Sequence, residues 1–457
     1  MKTIVNSTKS ITTPIPPEPA AVASDAAGHA LNVRGDLPPE PAAVISDAAG
    51  HALDVRGDFP ILAREIEGKP LVYLDSGATS QKPQTVIEAM DAYYSERNAN
   101  VHRGVYPLAQ QADAAYDGAR AKVAGFVGWD PKTTIFTKNV TEAINLVAYA
   151  WGRANVGPGD AIVTTQMEHH ANIVPWQQLC KAQGAQLRYL EVNERGEISL
   201  DQLDRELAKG NVKLVAFTHI SNVLGTILPV AEMVARIRAT GALSLIDGAQ
   251  AVPHMPVDAR AIDADFYAWT GHKALGPTGI GVLHGRAEIL EQMEPFLTGG
   301  DMIASVSFEG ATWNELPYKF EAGTPPIAEA VGLGAAVDYL QELGMDRVRD
   351  HERELTAYML ARLGEVPGLR CVGPPEAEHR GGLASFTIEG MHAHDIAELA
   401  SREGVCVRAG HHCAQPLMRC LGVSATARAS VGVYNDRHDI DALVDALLAG
   451  RRVFQLA

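Results

Sequence analysis

Leu243-Ser244-Leu245-Ile246-Asp247-Gly248-Ala249-Gln250, read together with Phe266-Tyr267-Ala268-Trp269-Thr270-Gly271-His272-Lys273, decides the reading of this chain. Each stretch opens on a short apolar run of the kind that forms a buried strand. The first run ends on a carboxylate. The second ends on a lysine flanked by a hydroxyl and an imidazole. A lysine needs a special site to become an imine-forming nucleophile. Pyridoxal 5′-phosphate supplies the aldehyde, and an acidic residue on its pyridinium nitrogen keeps the ring an electron sink. Taken singly, Lys273 reads as a surface lysine and Asp247 as a strand-end aspartate. Taken as a pair, they point to that cofactor.

Outward from this pair, short strand-like runs alternate with helical patterns. Val72-Tyr73-Leu74, Thr134-Ile135-Phe136, Ala161-Ile162-Val163, Leu214-Val215-Ala216-Phe217 and Asp265-Phe266-Tyr267-Ala268 read as buried strands. Glu142 to Trp151 and Ala231 to Ala239 read as helices between them. The pattern predicts an α/β domain with a mostly parallel sheet over residues 59–323. After Gly323-Thr324-Pro325-Pro326 the texture changes. A long helical region, Ile327 to Leu363, precedes strand-like runs at Ala384 to Ile388 and Val405 to Arg408, and a closing helix starts at Asp436. Residues 324–457 therefore read as a smaller α+β domain, with the first residues of the large domain free to join it. Sites commonly lie between two such domains.

The first 58 residues have a different character. The segment PPEPAAVxSDAAGHALxVRGD occurs twice, from Pro16 and from Pro38, 22 residues apart. Two copies are too few for a solenoid. They read either as a tolerated duplication in a flexible tail or as a bivalent docking tag.

Composition narrows the class. The chain has 457 residues, 46% of them hydrophobic, and a net charge of −16. That charge argues against a nucleic-acid partner and against an acidic membrane surface. No apolar run is long enough for a membrane helix, and the N-terminus lacks the layout of a secretory signal. Five cysteines in so long a chain make no disulfide framework. A cytoplasmic protein is expected.

Four further positions carry chemistry. Thr141 follows a strand and opens a helix, where free N–H groups suit a phosphate; it also reads as a plain N-cap. His169, in Glu168-His169-His170-Ala171-Asn172, sits at a carboxyl strand end, where a flat imidazole can stack on a pyridine ring and move a proton. It reads alternatively as a capping histidine. A metal site is not expected, since no CxxC or HExxH spacing occurs. Cys413, in Arg408-Ala409-Gly410-His411-His412-Cys413, has two histidines and an arginine close in sequence, which suits a nucleophile. Cys180, Cys371, Cys406 and Cys420 sit among apolar neighbours or on helical patterns. Arg428 lies on a β-like run of small residues and wants an anion, either a substrate carboxylate or a structural partner.

These residues carry a resemblance. The stretches YLDSGATSQKP, NVHRGVYPLA, TEAINLVA, QMEHHANIVPWQ, HISNVLGT, DGAQAVPH, TGHKALGPTGIG, FEAGTP, RAGHHCAQPLM and ARASVGVYN run from about Phe59 to the C-terminus. Their set and order resemble the type II (SufS-like) cysteine desulfurases of the class V aminotransferase superfamily. The resemblance implies a PLP-dependent transferase fold of type I with a seven-stranded-type sheet, working as a homodimer. It implies that Lys273 carries the cofactor as an imine and shuttles a proton, and that Asp247 and Gln250 meet the ring nitrogen and phenolic oxygen. His169 stacks on the ring, while Thr141, Thr270 and His272 bind the phosphate. Asn222 and Arg428 hold the substrate carboxylate with Arg408 nearby, and Cys413 takes the sulfur of L-cysteine as a persulfide. Gly300 and Thr324 reach the neighbouring subunit's phosphate. A sulfur-acceptor protein feeding iron–sulfur cluster assembly is implied as partner. Two features depart from the family: Thr270 replaces a common serine, and Asp301 stands where a small residue is usual. A selenocysteine lyase shares these site types, and Cys413 does not exclude it. A conventional aminotransferase leaves Cys413 unexplained. The duplicated extension, residues 1–58, suggests cargo of a protein compartment or a scaffold tether.

Overall fold

The computed structural model describes residues 53–66 and 68–454. Strands β1 (Thr134–Thr137), β2 (Ala161–Thr165), β3 (Gln186–Leu190), β4 (Val212–Thr218), β5 (Leu243–Asp247), β6 (Phe266–Thr270) and β7 (Gly281–Gly285) form one seven-stranded sheet. Their order is β1-β7-β6-β5-β4-β2-β3. Strand β7 runs antiparallel to both neighbours, and the other pairings are parallel. The inner strands are buried on both faces, which is why they read as unbroken apolar runs. Two strands of this sheet escaped the sequence reading. Edge strand β3, Gln186-Leu187-Arg188-Tyr189-Leu190, is half-exposed and carries polar residues to match. Strand β7 is bounded by glycines. One of them, Gly281, is required: a Cβ there would lie 2.5 Å from the backbone of Asn139. The chain crossing at that point leads straight into a helix that faces the site.

Helices α1 (Pro107–Phe126), α2 (Val140–Leu146) and α3 (Ile327–Leu343) belong to this layer, and α2 continues as a π-turn to Gly152. The single helical region expected over 327–363 is two helices. Gly344, at φ +82°, breaks it before α4 (Met345–Gly364). Packing changes at the same point. Leu333, Val337 and Leu340 of α3 share a core with Tyr116, Val123 and Trp269. Leu355, Met359 and Leu363 of α4 share another with Phe386, Ile396 and Leu443. This change lies one helix beyond Gly323-Thr324, where the sequence texture predicts a boundary.

The second core covers an antiparallel sheet of β8 (Leu369–Val372), β9 (Leu383–Ile388), β10 (Arg408–Gly410) and β11 (Thr426–Ser430), in the order β8-β9-β11-β10. Helices α4, α5 (Ala393–Arg402) and α6 (Arg437–Val453) pack with it, and Asp436 with Asp439 closes a capping box at the start of α6. The run expected at Val405 to Arg408 divides. Val405–Cys406 pairs in parallel with Val72–Tyr73, and Arg408 begins β10. Early chain and late chain are thus stitched together beside the site.

Residues 53–58 are part of this body, although the repeat assigns them to the extension. Leu53 and Val55 are buried, and Arg56 donates to Leu71 O at 2.7 Å and to Asp439 at 3.1 Å. The rest of the expected extension, 1–52, lies outside the described residues. Among the described residues no helix is long and apolar enough to cross a membrane.

Candidate active site

The carboxyl ends of β1, β2, β4, β5 and β6 converge on one cavity of about 200 Å³. Lys273, Asp247, Gln250, Thr270, His272, Thr141, His169, Asn222 and Arg408 all line it. Lys273 ends the single 3₁₀ turn, Gly271–Lys273, that follows β6. Asp247 is the last residue of β5, whose register sets it beside Ala268 of β6. The two strands of the opening motif therefore bring carboxylate and amine to the same wall. Burial pushes the Lys273 amine down to about 8; nearby Asp247 opposes the shift, while Arg428 and Arg408 add to it. An amine in that range is about one-tenth neutral at pH 7, far more than an ordinary lysine, and the neutral form is the one that attacks a carbonyl. Asp247 is buried, and burial raises its carboxyl against the Ala249 N–H, which donates to Oδ1 at 3.0 Å, and against Lys273. Gly248 must be glycine, because a Cβ would stand 2.3 Å from Tyr267.

His169 follows β2. Its Nδ1 accepts the Ala171 N–H at 3.0 Å, so a neutral ring carries its proton on Nε2. Burial and the Lys273 charge depress the ring to about 3, which keeps it neutral. Glu168 holds the segment from below: Thr165 donates to it at 2.6 Å, Asn172 at 2.7 Å and Thr218 N at 3.0 Å. Across the cavity, Asn139 caps α2 by accepting the Glu142 N–H at 3.0 Å. Thr141 sits in that first turn, where free N–H groups and the helix dipole favour an anion. His272 faces Thr79 Oγ1 at 3.3 Å, and burial with the Lys273 charge lowers it to about 4. Gln250 is buried and donates to Gly77 O at 2.7 Å.

Arg428 and Cys413 stand just behind and beside this wall. Arg428 is fully buried on β11, donating to Asn222 O at 2.9 Å and to Asp75 Oδ1 at 3.1 Å. Its Nε has no partner among the described residues. The structural partner read as one alternative is therefore present as Asp75, and the buried Nε keeps a donor in reserve. Asn222 Nδ2 donates to His412 O at 2.7 Å. Arg408 Nη2 lies 3.5 Å from Cys413 Sγ, and Cys413 is half-buried. In a chain of net charge −16, Lys273, Arg408 and Arg428 gather here against Asp75 and Asp247, an arrangement that favours anionic ligands.

Gly300 and Thr324 do not line the cavity of their own chain. Both are exposed, and the loops meet each other where Gly323 N donates to Gly300 O at 3.0 Å. Asp301 next to them is neutralised by Arg103 Nε at 2.6 Å. Sequence reasoning passed over Asn139, although an Asn before a helix start is an N-cap signal. It also passed over Asp75, a carboxylate at a strand end just as Asp247 is, and Lys82. Burial lowers Lys82 to about 8, and its ammonium donates to Ser80 O at 2.5 Å and His272 O at 3.0 Å.

The donor set fits pyridoxal 5′-phosphate. A capped helix start with Thr141, Thr270 and His272 suits a phosphate; a buried carboxylate suits a pyridinium; a neutral flat ring suits its face; and a lysine of lowered basicity suits its aldehyde.

The comparisons agree with this class of site. The aminotransferase class-V model matches residues 72–443, and the chain belongs to that family. Within it the chain belongs with the cysteine desulfurases. It is 48% identical over 409 residues to the cysteine desulfurase of Haloferax volcanii, covering 86% of this chain and 96% of that one. The apo cysteine desulfurase of Thermococcus onnurineus superposes with a TM-score of 0.83 at 39% identity, covering 88% of this chain and 98% of that one. The Escherichia coli cysteine desulfurase CsdA, solved as an S-sulfonic acid, superposes with a TM-score of 0.80 at 39% identity, covering 87% and 98%.

Proposed function

We propose that this enzyme converts L-cysteine to L-alanine and carries the released sulfur as a persulfide on Cys413. The observation that carries the reading is Arg408 Nη2 at 3.5 Å from Cys413 Sγ, with Arg408 also lining the Lys273 cavity. Bound pyridoxal 5′-phosphate supplies the electron sink that lets a substrate Cα–H bond ionise. The substrate carboxylate docks on Arg428, whose Nε is a free buried donor, and on Asn222. Lys273 Nζ takes the Cα proton; its lowered basicity suits it to receive and return one. Asp247 and His169 hold the ring by its nitrogen and its face. Arg408 steadies the Cys413 thiolate. That thiolate attacks the substrate sulfur: the Sγ–S bond forms, the Cβ–S bond breaks, and protonation at Cβ leads to alanine. A second thiol then takes the sulfur, which calls for an acceptor protein.

Two chains complete the site in this reading. Gly300 and Thr324, exposed on loops that Gly323 N joins to Gly300 O, extend toward a partner subunit's phosphate end. The duplicated segment within residues 1–58 tethers the enzyme to a shell or scaffold protein, a reading supported by the duplication alone.

The test is a joint measurement of sulfide and alanine from L-cysteine with a reductant. Equal yields are expected, and Lys273→Ala abolishes both. Cys413→Ala still binds L-cysteine but releases no sulfide. Mass spectrometry after L-cysteine alone places the added sulfur on the Cys413 peptide. Sulfur found on Cys180, Cys371, Cys406 or Cys420 instead, or amino-group transfer to a keto acid without sulfide, refutes the reading.

A further inference from the structure

Cys413 occupies an unusual backbone conformation. Its φ is +56°, and that of His412 before it is +52°. Two consecutive non-glycine residues in the left-handed region cost energy that the surroundings must offset. Part of the offset is local. The buried His412 ring sits 2.8 Å from Thr426 Oγ1, and Ala414 N donates to His411 O at 2.9 Å. The remainder comes from the opposite side of the site. Asn222 Nδ2 donates to His412 O at 2.7 Å. His170 makes two contacts: its backbone N donates to Cys413 O at 2.7 Å, and its ring Nε2 accepts the Gln415 N–H at 2.9 Å.

The second contact defines the ring's state. A backbone amide only donates, so Nε2 bears no proton and the imidazole is neutral with its hydrogen on Nδ1. One residue on the loop after β2 thus grips the cysteine loop on both sides of Cys413. The same residue directly follows His169, which lines the cavity. The face that meets the ring and the thiol that receives sulfur are thereby tied to one short stretch of backbone.

We infer that His170 is a positioning residue that holds Cys413 in its strained, attack-ready conformation by accepting the Gln415 amide proton through Nε2. The inference rests on the reading of Cys413 as the sulfur acceptor. It extends that reading, because no other side chain among the described residues hydrogen-bonds the backbone of residues 414–416, directly after Cys413. A misplacement of about 1 Å at a reacting atom costs up to ~100-fold in rate.

The experiment compares His170→Ala and His170→Gln in the holoenzyme. Glutamine places a carbonyl oxygen near the position of Nε2 and restores the acceptor; alanine removes it. Three quantities are read: hydrogen exchange at the Gln415 amide, the rate at which L-cysteine perturbs the cofactor absorbance, and the rate of sulfur loading on Cys413 by mass spectrometry. In His170→Ala, Gln415 exchange should accelerate about tenfold or more, and sulfur loading should slow about tenfold or more. L-cysteine binding should stay within about twofold. His170→Gln should recover both losses. Unchanged Gln415 exchange in His170→Ala overturns the inference, as does sulfur loading at the wild-type rate. Loss of cofactor binding in both variants also overturns it, since His170 would then act through His169 rather than through the cysteine loop. If wild-type enzyme loads sulfur on another cysteine, the reading of Cys413 fails instead, and the Gln415 exchange data still report whether His170 holds the loop.

Discussion

Glu321 offers the sharpest test of how this fold keeps its helical layer on its sheet. Its carboxylate is 5% exposed and meets the 4%-exposed Arg120 in a two-pronged pair, at 2.6 Å and 2.8 Å. Phe136 N donates to the same carboxylate at 2.7 Å, and Tyr116 OH at 2.9 Å. Glu321→Gln keeps the volume and removes the charge. It sets an amide NH₂ against donors and leaves Arg120 a buried cation without a counter-ion. Breaking one side of a buried pair costs about 3–5 kcal/mol. The low end is expected here. Arg120 keeps its bond to Thr134 O at 2.8 Å and its place 4.6 Å from the Phe136 ring centre. The double variant Arg120→Met/Glu321→Leu removes both charges and should recover most of the loss, since apolar replacement of a whole buried pair is often neutral. Urea unfolding of the three proteins measures this, with unchanged slope required for the midpoints to be read as stability. A single variant within about 1 kcal/mol of wild type refutes the reasoning. So does a double variant no more stable than the single one.

Three further outcomes follow from the site and its supports. Gly248→Ala drives a Cβ to 2.3 Å from Tyr267, so the buried Tyr267 ring or the backbone beside Asp247 must shift; pyridoxal 5′-phosphate affinity should fall by about tenfold or more, read by titration of the apoprotein. Because Lys273 is held down at about 8, its neutral fraction grows as pH rises toward that value; apoprotein should take up pyridoxal 5′-phosphate faster from pH 6 to about 8 and then level off, and a rate flat across this window contradicts the lowered basicity. His219 and His284 are buried and depressed to about 4 and about 3 by burial, against 6.5 unfolded. The unfolded chain binds more protons between these values, so the stability they contribute is complete above pH 6.5 and is lost as pH falls toward 4. Two such groups give a slope of about 2.7 kcal/mol per pH unit in that window. His284→Gln should lower the measured slope by about 1.4 kcal/mol per pH unit, read from urea midpoints at pH 5 and pH 6.5. No change in slope would show that His284 protonates freely in the folded state.

Much of the site was legible in the sequence because strand ends announce themselves. Asp247, His169 and Thr141 each follow an apolar run, and a parallel sheet delivers all such ends to one edge. Lys273 and Asp247 were readable as a pair because their strands are neighbours in the sheet as well as successive in the chain. The sequence also held the duplication in residues 1–58 and the placement of Cys413 among basic residues. What it could not contain is anything that depends on which distant segments meet. Arg428 was read as seeking an anion, but only folding puts Asp75 at 3.1 Å, 353 residues earlier in the chain. Strand β7 was unreadable because its meaning lies in the Asn139 backbone crossing Gly281, a steric fact with no local signature. The run at Val405 to Arg408 looked like one strand, and two sheets divide it because Val72–Tyr73 supplies a partner for its first half. His170 reads as a second histidine of no account until the cysteine loop closes over it. Periodicity and strand-end chemistry are properties of short stretches, and a sequence displays them directly. Pairing, close approach and the support of a strained loop are properties of contacts between remote stretches, and only the tertiary structure decides those.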